Sequence, residues 1–132
     1  MINKAAAIII KERSVLYLKE KDFPYWILPG GTIEGGESPE QTLEREMMEE
    51  LSIRIKIVED LGVINGEAIN GKTKELTPMQ LHIYKVELLD EIEFDNEILA
   101  MTYIKNSNVQ EYEMTPIGIQ TVEYLHNKGL IE

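Results

Sequence analysis

Short apolar runs recur along the chain, separated by polar turns. Lys4–Ile10 and Ser14–Leu18, rich in Ile, Val and Leu, predict two strands, and the intervening KER is short enough for a hairpin. KDFPYWILPGG mixes aromatics with Pro and Gly and predicts a loop around a short apolar piece, which the Gly-rich GTIEGGES extends. Ile53–Val58 alternates apolar and polar positions and predicts a strand, and Leu61–Ile64 continues in extended style. NGEAINGKTKELTP holds two Asn-Gly turn signals and few apolar residues, so it reads as a hairpin tip or a mobile loop. Met79–Leu88 and Ile98–Ile104 predict two more strands, joined by the acidic DEIEFDNE.

Two segments carry helix signals instead. Ser38 is a good N-cap, Pro39 suits the first helical position, and Gln41 completes a capping box. Leu43, Met47 and Leu51 recur every four residues and give a buried stripe, so this helix should end near Leu51–Ser52. The second helix has Thr115 as N-cap and Pro116 as its first residue. Met114 and Ile119 are spaced for a hydrophobic staple, Val122 and Leu125–His126 carry the period on, and Gly129 is a natural stop. Strands and helices mixed in this way predict one α/β domain over residues 1–132, with more strand than a doubly wound fold would have.

Composition narrows the functional classes. Without cysteine there are no disulfides and no thiolate metal sites. A formal net charge of −11 repels nucleic-acid backbones and anionic membranes. The apolar run Ala5–Ile10 is shorter than a secretory h-region and charges follow it at once, and no stretch reaches membrane-spanning length. The expectation is a cytoplasmic protein that binds neither nucleic acid nor membrane. An anionic small substrate is still compatible, provided a cation stands between it and the protein.

EREMMEEL, at residues 44–51, places Glu46, Glu49 and Glu50 together on one side of the first helix. Like charges three or four residues apart on a helix destabilise it by roughly 0.2–0.5 kcal/mol per pair. One explanation is a solvated acidic face. Another is a ligand set, because a hard divalent cation prefers oxygen donors and is commonly held by a few carboxylates plus substrate phosphates. The surroundings decide between them. From Gly31 the chain runs GTIEGGESPEQTLEREMMEELSI: Gly31, five residues, Glu37, seven residues, Arg45-Glu46, apolar Met47, then Glu49-Glu50, Ser52 and apolar Ile53. This resembles the Nudix box of the MutT-like Nudix hydrolases at every defined position except Ser52, where the family has Gly, and the preceding WILPGG is also similar to the family's approach to the box.

The resemblance implies the Nudix fold, an α/β/α sandwich in which helices flank a mixed β-sheet. It implies that Glu46, Glu49 and Glu50, joined by the Gly30 carbonyl, bind Mg2+ or Mn2+, and that Glu37 and Arg45 form a salt bridge bracing the loop on the helix. It further implies hydrolysis of a phosphoanhydride in a nucleoside diphosphate linked to another group, with a carboxylate as base. Glu46 is one candidate base. Glu97, where related proteins place an extra glutamate, is another candidate base and metal ligand, with Glu93 and Asp95 as rivals. Tyr25, Gly31 and Lys19 are candidate substrate contacts, and Trp26 is expected to pack and position the loop. The first reading is a (deoxy)nucleoside-triphosphate pyrophosphohydrolase releasing a nucleoside monophosphate and pyrophosphate. The alternatives are an ADP-ribose or nucleotide-sugar pyrophosphatase and, from another class, a non-catalytic nucleotide-sensing module. Such modules often lose box carboxylates, whereas this chain keeps Glu37, Glu46, Glu49, Glu50 and Arg45. Where members that discriminate 8-oxoguanine place a base-reading Asn, this chain has Met114. The resemblance leaves a homodimer open.

Overall fold

The computed structural model describes residues 1–94 and 97–132. Its organising strand is β1 (Ile2–Ile8), which runs parallel to β7 (Leu76–Leu88) on one side and antiparallel to β5 (Gly30–Thr32) on the other. β6 (Ile55–Ile69) pairs antiparallel with β7 and completes a mixed sheet in the order β5-β1-β7-β6. A second, antiparallel sheet is built on β3 (Ser14–Glu20), which pairs with β2 (Ile10–Lys11), β4 (Trp26–Ile27) and β8 (Ile98–Ile104).

Successive side chains of a strand point to opposite faces, and β1 uses both. Ala5, Ala7 and Ile9 join a cluster with Leu43, Met47 and Leu51 of α1 (Pro39–Leu51). Ala6 and Ile8 join another with Ile117, Val122 and Leu125 of α2 (Pro116–Asn127). The mixed sheet is therefore the middle layer between two helices, which is the expected α/β/α sandwich. Side chains fasten the outer layers. Tyr17, fully buried, donates to the Gly118 carbonyl at 2.8 Å, and burial pushes its phenol pKa well up. Tyr124 donates to the Leu61 carbonyl at 2.6 Å, and Tyr84 to Glu40 Oε1 at 3.0 Å.

Several local expectations change. The loop predicted over KDFPYWILPGG contains β4, which folds back antiparallel on the preceding strand β3, and the start of β5, which pairs with the distant β1. The two short extended pieces after α1 form one strand, β6, whose register slips between Ile57 and Glu59 and again between Asp60 and Gly62. Those two slips break the alternation that marks a strand in sequence. Asn65-Gly66 lies inside β6, and only Asn70-Gly71 turns the chain into β7, so most of NGEAINGKTKELTP is a paired ladder. A 3-10 helix at Asn106–Glu111 was not expected. In α2, Ile119 is 47% exposed, and the buried face is Ile117, Gly118, Thr121, Val122 and Leu125. Ile119 lies about 200° round the helix from Ile117, which removes it from that face.

The helix starts agree with their caps. Ser38 Oγ accepts from Gln41 N–H while the Gln41 side chain accepts from Ser38 N–H, closing the box. At the other end Ser52 takes a left-handed conformation (φ 54°, ψ 37°), and its N–H donates to the carbonyls of Met47 and Met48. The departure from Gly in the box is thus absorbed as backbone strain, and the helix upstream keeps its geometry. A non-glycine residue in this region costs roughly 1–2 kcal/mol, offset in part by about 0.5–1 kcal/mol because Gly loses more entropy on folding. Ser52→Gly is therefore expected to stabilise the protein by about 0.5–1 kcal/mol. An unchanged or lower urea midpoint would show that Ser52 bears no strain.

Candidate active site

The helix that carries the acidic residues is tied to the preceding loop by Arg45. Its Nε donates to Glu37 Oε2 at 2.8 Å and its Nη2 to Glu37 Oε1 at 3.0 Å, a two-pronged ion pair with fixed geometry. Glu37 Oε1 also accepts from Thr42 Oγ1 at 2.9 Å and from Glu34 N–H at 3.2 Å. These bonds, with the Arg45 hydrogen bond the largest contributor, hold the Glu37 carboxyl down at about 2. The same interactions raise the Arg45 guanidinium above its already high value. Arg45 Nη1 turns the other way, donating to Glu46 Oε1 at 2.9 Å and to Glu49 Oε2 at 3.3 Å.

Glu50 leaves this group. Its Oε1 accepts from Gly30 N–H at 3.2 Å, and its carboxyl stands against that of Glu20 at the end of β3. Burial, and then the charge of Glu20, push the Glu50 pKa up to about 9 against the pull of the Gly30 N–H. Burial also raises Glu46, with Arg45 acting in opposition.

Two glycines make the arrangement possible. A Cβ on Gly30 would collide with the Ala5 carbonyl oxygen of the paired strand, and one on Gly31 would collide with the Glu46 carboxyl. The loop backbone can lie this close to both β1 and α1 only without side chains at these positions.

Glu20 and Glu50 stand at the acidic end of a cleft of about 580 Å3. Its floor includes Ile2, Met79, Leu81 and Ile117, and its rim includes Phe23 and the Asn70–Lys72 turn of the β6–β7 hairpin. A volume of this order suits one small organic ligand. Lys4 and Lys72 also line it.

The structure thus brings Gly30 and Glu50 together, packs Gly31 on Glu46, and gathers Glu37, Glu46 and Glu49 on Arg45. Among the described residues, no three carboxylates form a ready-made metal cluster. The expected single set of Glu46, Glu49 and Glu50 is divided, because Arg45 engages the first two while Glu50 turns toward Glu20. Glu97 is exposed at the start of β8, where its carbonyl accepts from Lys21 N–H at 2.7 Å, and it does not line the cleft. Glu93 is also exposed, and Asp95 lies outside the described residues. Lys19 is spent on the Pro24 carbonyl, at 3.0 Å, and lies over the Trp26 ring. Tyr25 is held by Lys74 and packs edge-on to Phe23, away from the cleft lining. Trp26 packs edge-on against Tyr112.

Sequence reasoning missed Glu20 and Lys4. The β3–β8 register slips between Lys19 and Glu20, so that Glu20 faces Ile98 where Lys19 faces Ala100. Such a bulge re-aims the strand end, and nothing in LKEKD signals it.

A divalent cation fits the donors present. The end of α1 offers hard oxygen ligands, and the close approach of the Glu20 and Glu50 carboxyls is an electrostatic conflict that a cation would relieve. The cation would compete with Arg45 for Glu46 and Glu49.

Comparisons with known proteins place these residues in a family. The sequence model of the NUDIX domain matches residues 1–124. An 8-oxo-dGTP diphosphatase of Haemophilus influenzae is 41% identical over 58 residues, 40% of this chain and 43% of that protein. An ADP-ribose pyrophosphatase of Methanocaldococcus jannaschii is 26% identical over 121 residues, covering 76% of this chain and 72% of that one. The chain spans less than half the length of the first curated relatives it matches. The solution structure of the E. coli ORF135 protein superposes with a TM-score of 0.75 at 23% identity, over 96% of this chain and 89% of that chain. Among the described residues no helix is long and apolar enough to cross a membrane.

The Glu37–Arg45 pair gives a defined acid response. Its folded pKa, about 2, lies below the ordinary 4.5, so the unfolded chain binds the proton more tightly. The pair's contribution to stability is complete above about pH 4.5 and is lost as pH falls toward 2. Glu37→Gln is expected to lower the melting temperature at neutral pH and to shrink the fall between pH 4.5 and 2. Parallel acid limbs for the two proteins would show that the pair does not titrate in this way.

Proposed function

The chain belongs to the NUDIX family, and from that membership we propose that it is a divalent-metal-dependent nucleotide pyrophosphohydrolase, acting first of all on (deoxy)nucleoside triphosphates. The observation that supports this most is the junction at Gly30. There the box helix, through Glu50, meets the acidic end of a cleft whose remainder is largely apolar. Phosphates suit the first region and a nucleoside suits the second.

In this reading Glu46, Glu49 and Glu50, with the Gly30 carbonyl, hold Mg2+ or Mn2+. When bound there, the ion would neutralise phosphate charge and lower the pKa of a coordinated water. The protein's own groups do the rest. Arg45 positions Glu46 and Glu49 and fixes the loop through Glu37. Gly31 leaves the space that Glu46 occupies. The cleft excludes water from the nucleoside and presents the phosphates to the carboxylates. Glu46 and Glu50 are the candidates for taking the proton from water, and Glu20 adds a carboxyl beside Glu50. Glu97, the other candidate base and ligand, precedes Ile98, which pairs with Glu20 across β3 and β8.

Hydrolysis of ADP-ribose or a nucleotide sugar is the second reading. It is supported by the Methanocaldococcus relative, whose alignment takes in more of this chain than that of the Haemophilus protein. A panel of nucleoside triphosphates, ADP-ribose and nucleotide sugars, assayed with and without Mg2+, separates the two. Pyrophosphate and monophosphate release from triphosphates is the expected result, and no turnover of any triphosphate would sink the first reading.

Glu50→Gln keeps the shape and removes the carboxylate that a cation would bind. It is expected to cut turnover by about 100- to 1,000-fold, in the range seen when one preorganised electrostatic group is lost, with little change in melting temperature. Normal turnover would remove Glu50 from the machinery.

A further inference from the structure

One residue of β1 is out of keeping with the layer it faces. Ile2, Ala6 and Ile8 belong to the apolar cluster under α2 or pack against it, and Lys4 stands in the same row between Ile2 and Ala6. It is half-buried, pairs in register with Thr32 and Leu81, and lines the cleft together with Ile2, Met79, Leu81 and Ile117. Among the described residues Lys4 makes no ion pair and no side-chain hydrogen bond, and the acids of the cleft, Glu20, Asp22 and Glu50, do not reach it. An ammonium group has three donors and no acceptor. Water serves the exposed part of this group, and a ligand that fills the cleft and displaces that water must bring an acceptor to it.

Its face shows where that acceptor would come from. α1, which carries the carboxylates, packs on the face of β1 that shows Ala5, Ala7 and Ile9. Lys4 points to the opposite face, into the part of the cleft walled by α2 and β7. Ile2, Met79, Leu81 and Ile117 line the cleft with Lys4, and in the functional reading above a nucleoside lies against such apolar residues.

We propose that Lys4 is a specificity-determining residue that donates to a carbonyl oxygen on the nucleobase, favouring oxo-bearing bases over adenine. The proposal rests on the nucleotide-hydrolase reading above. Adenine presents an amino group where hypoxanthine and guanine present an oxygen, so an ammonium facing the 6-position loses that acceptor and meets a like donor, with only the neighbouring ring nitrogens left to accept. A neutral apolar residue at this position would accept either base.

Inosine and adenosine nucleotides test it, since they share sugar, phosphates and size and differ at the purine 6-position. Binding of IMP and AMP is measured by calorimetry, and turnover of ITP and ATP with Mg2+, for the wild type and for Lys4→Met. Methionine suits the apolar row, so the variant should melt at or above the wild-type temperature. The wild type is expected to favour the inosine nucleotides by about 10- to 100-fold, as for a hydrogen bond to a charged group, and Lys4→Met to erase that preference. An unchanged preference in the variant would overturn the proposal. So would an equal loss for both nucleotides, because Lys4 would then be touching phosphate. A wild type that turns over no nucleoside phosphate fails the functional reading itself, whereas turnover with the ranking unmoved by Lys4→Met fails this inference alone.

Discussion

Mutual repulsion among carboxylates is the constraint on which the site depends. Glu37, Glu46, Glu49 and Glu50 occupy one short helix and the loop before it, in a chain already at −11. Arg45 answers most of that repulsion with a single planar group, whose donors reach Glu37, Glu46 and Glu49 at once. A lysine would supply the charge without the fork. With Glu37 fixed, the loop is fixed. With the loop fixed, Gly30 N–H meets Glu50 and the Gly31 backbone lies against Glu46. The ion pair therefore sets the position of a backbone as well as balancing charge.

The middle sheet separates two kinds of chemistry. On one face of β1, alanines at 5 and 7 receive the carboxylate helix. On the other, the row of Ile2, Lys4 and Ala6 floors a cleft covered by α2. The two regions meet at the β5 edge, where the loop has no side chains and Glu50 can reach round to the mouth of the cleft. A ligand with a charged end and an apolar ring end would span that edge.

Legibility in the sequence followed the range of the interactions. The Ser38 and Thr115 caps, the stripe of Leu43, Met47 and Leu51, and the box with Glu37 and Arg45 are all specified within a few residues or one fixed spacing. β5 was read as loop because its partner β1 lies far off in the chain, and β4 because two residues are too few to show an alternation. β6 was read as two pieces because its register slips break the alternation. Glu20 was passed over for a similar reason, since its direction is set by a bulge against β8. Glu97 was chosen by its place in the chain, yet it lies outside the cleft, while Lys19 and Tyr25 are engaged with neighbours in the same loop. Lys4 was visible as a lysine at the start of an apolar strand, and only the pairing of β1 with β5 and β7 shows that it points into the cleft.

Net charge and local charge act in opposite directions here. Over the whole surface a polyphosphate is repelled, so its approach depends on ionic strength and on a screening cation. Inside the cleft the balance changes. Two lysines line it, the Glu20 and Glu50 carboxyls crowd each other in a way a cation would relieve, and Arg45 already neutralises their neighbours. Binding selectivity then comes from where each positive charge sits rather than from its total. A cation at the carboxylates would engage any phosphate alike, so discrimination between nucleotides would fall to groups elsewhere in the cleft, among them Lys4 beside Ile2 and Leu81.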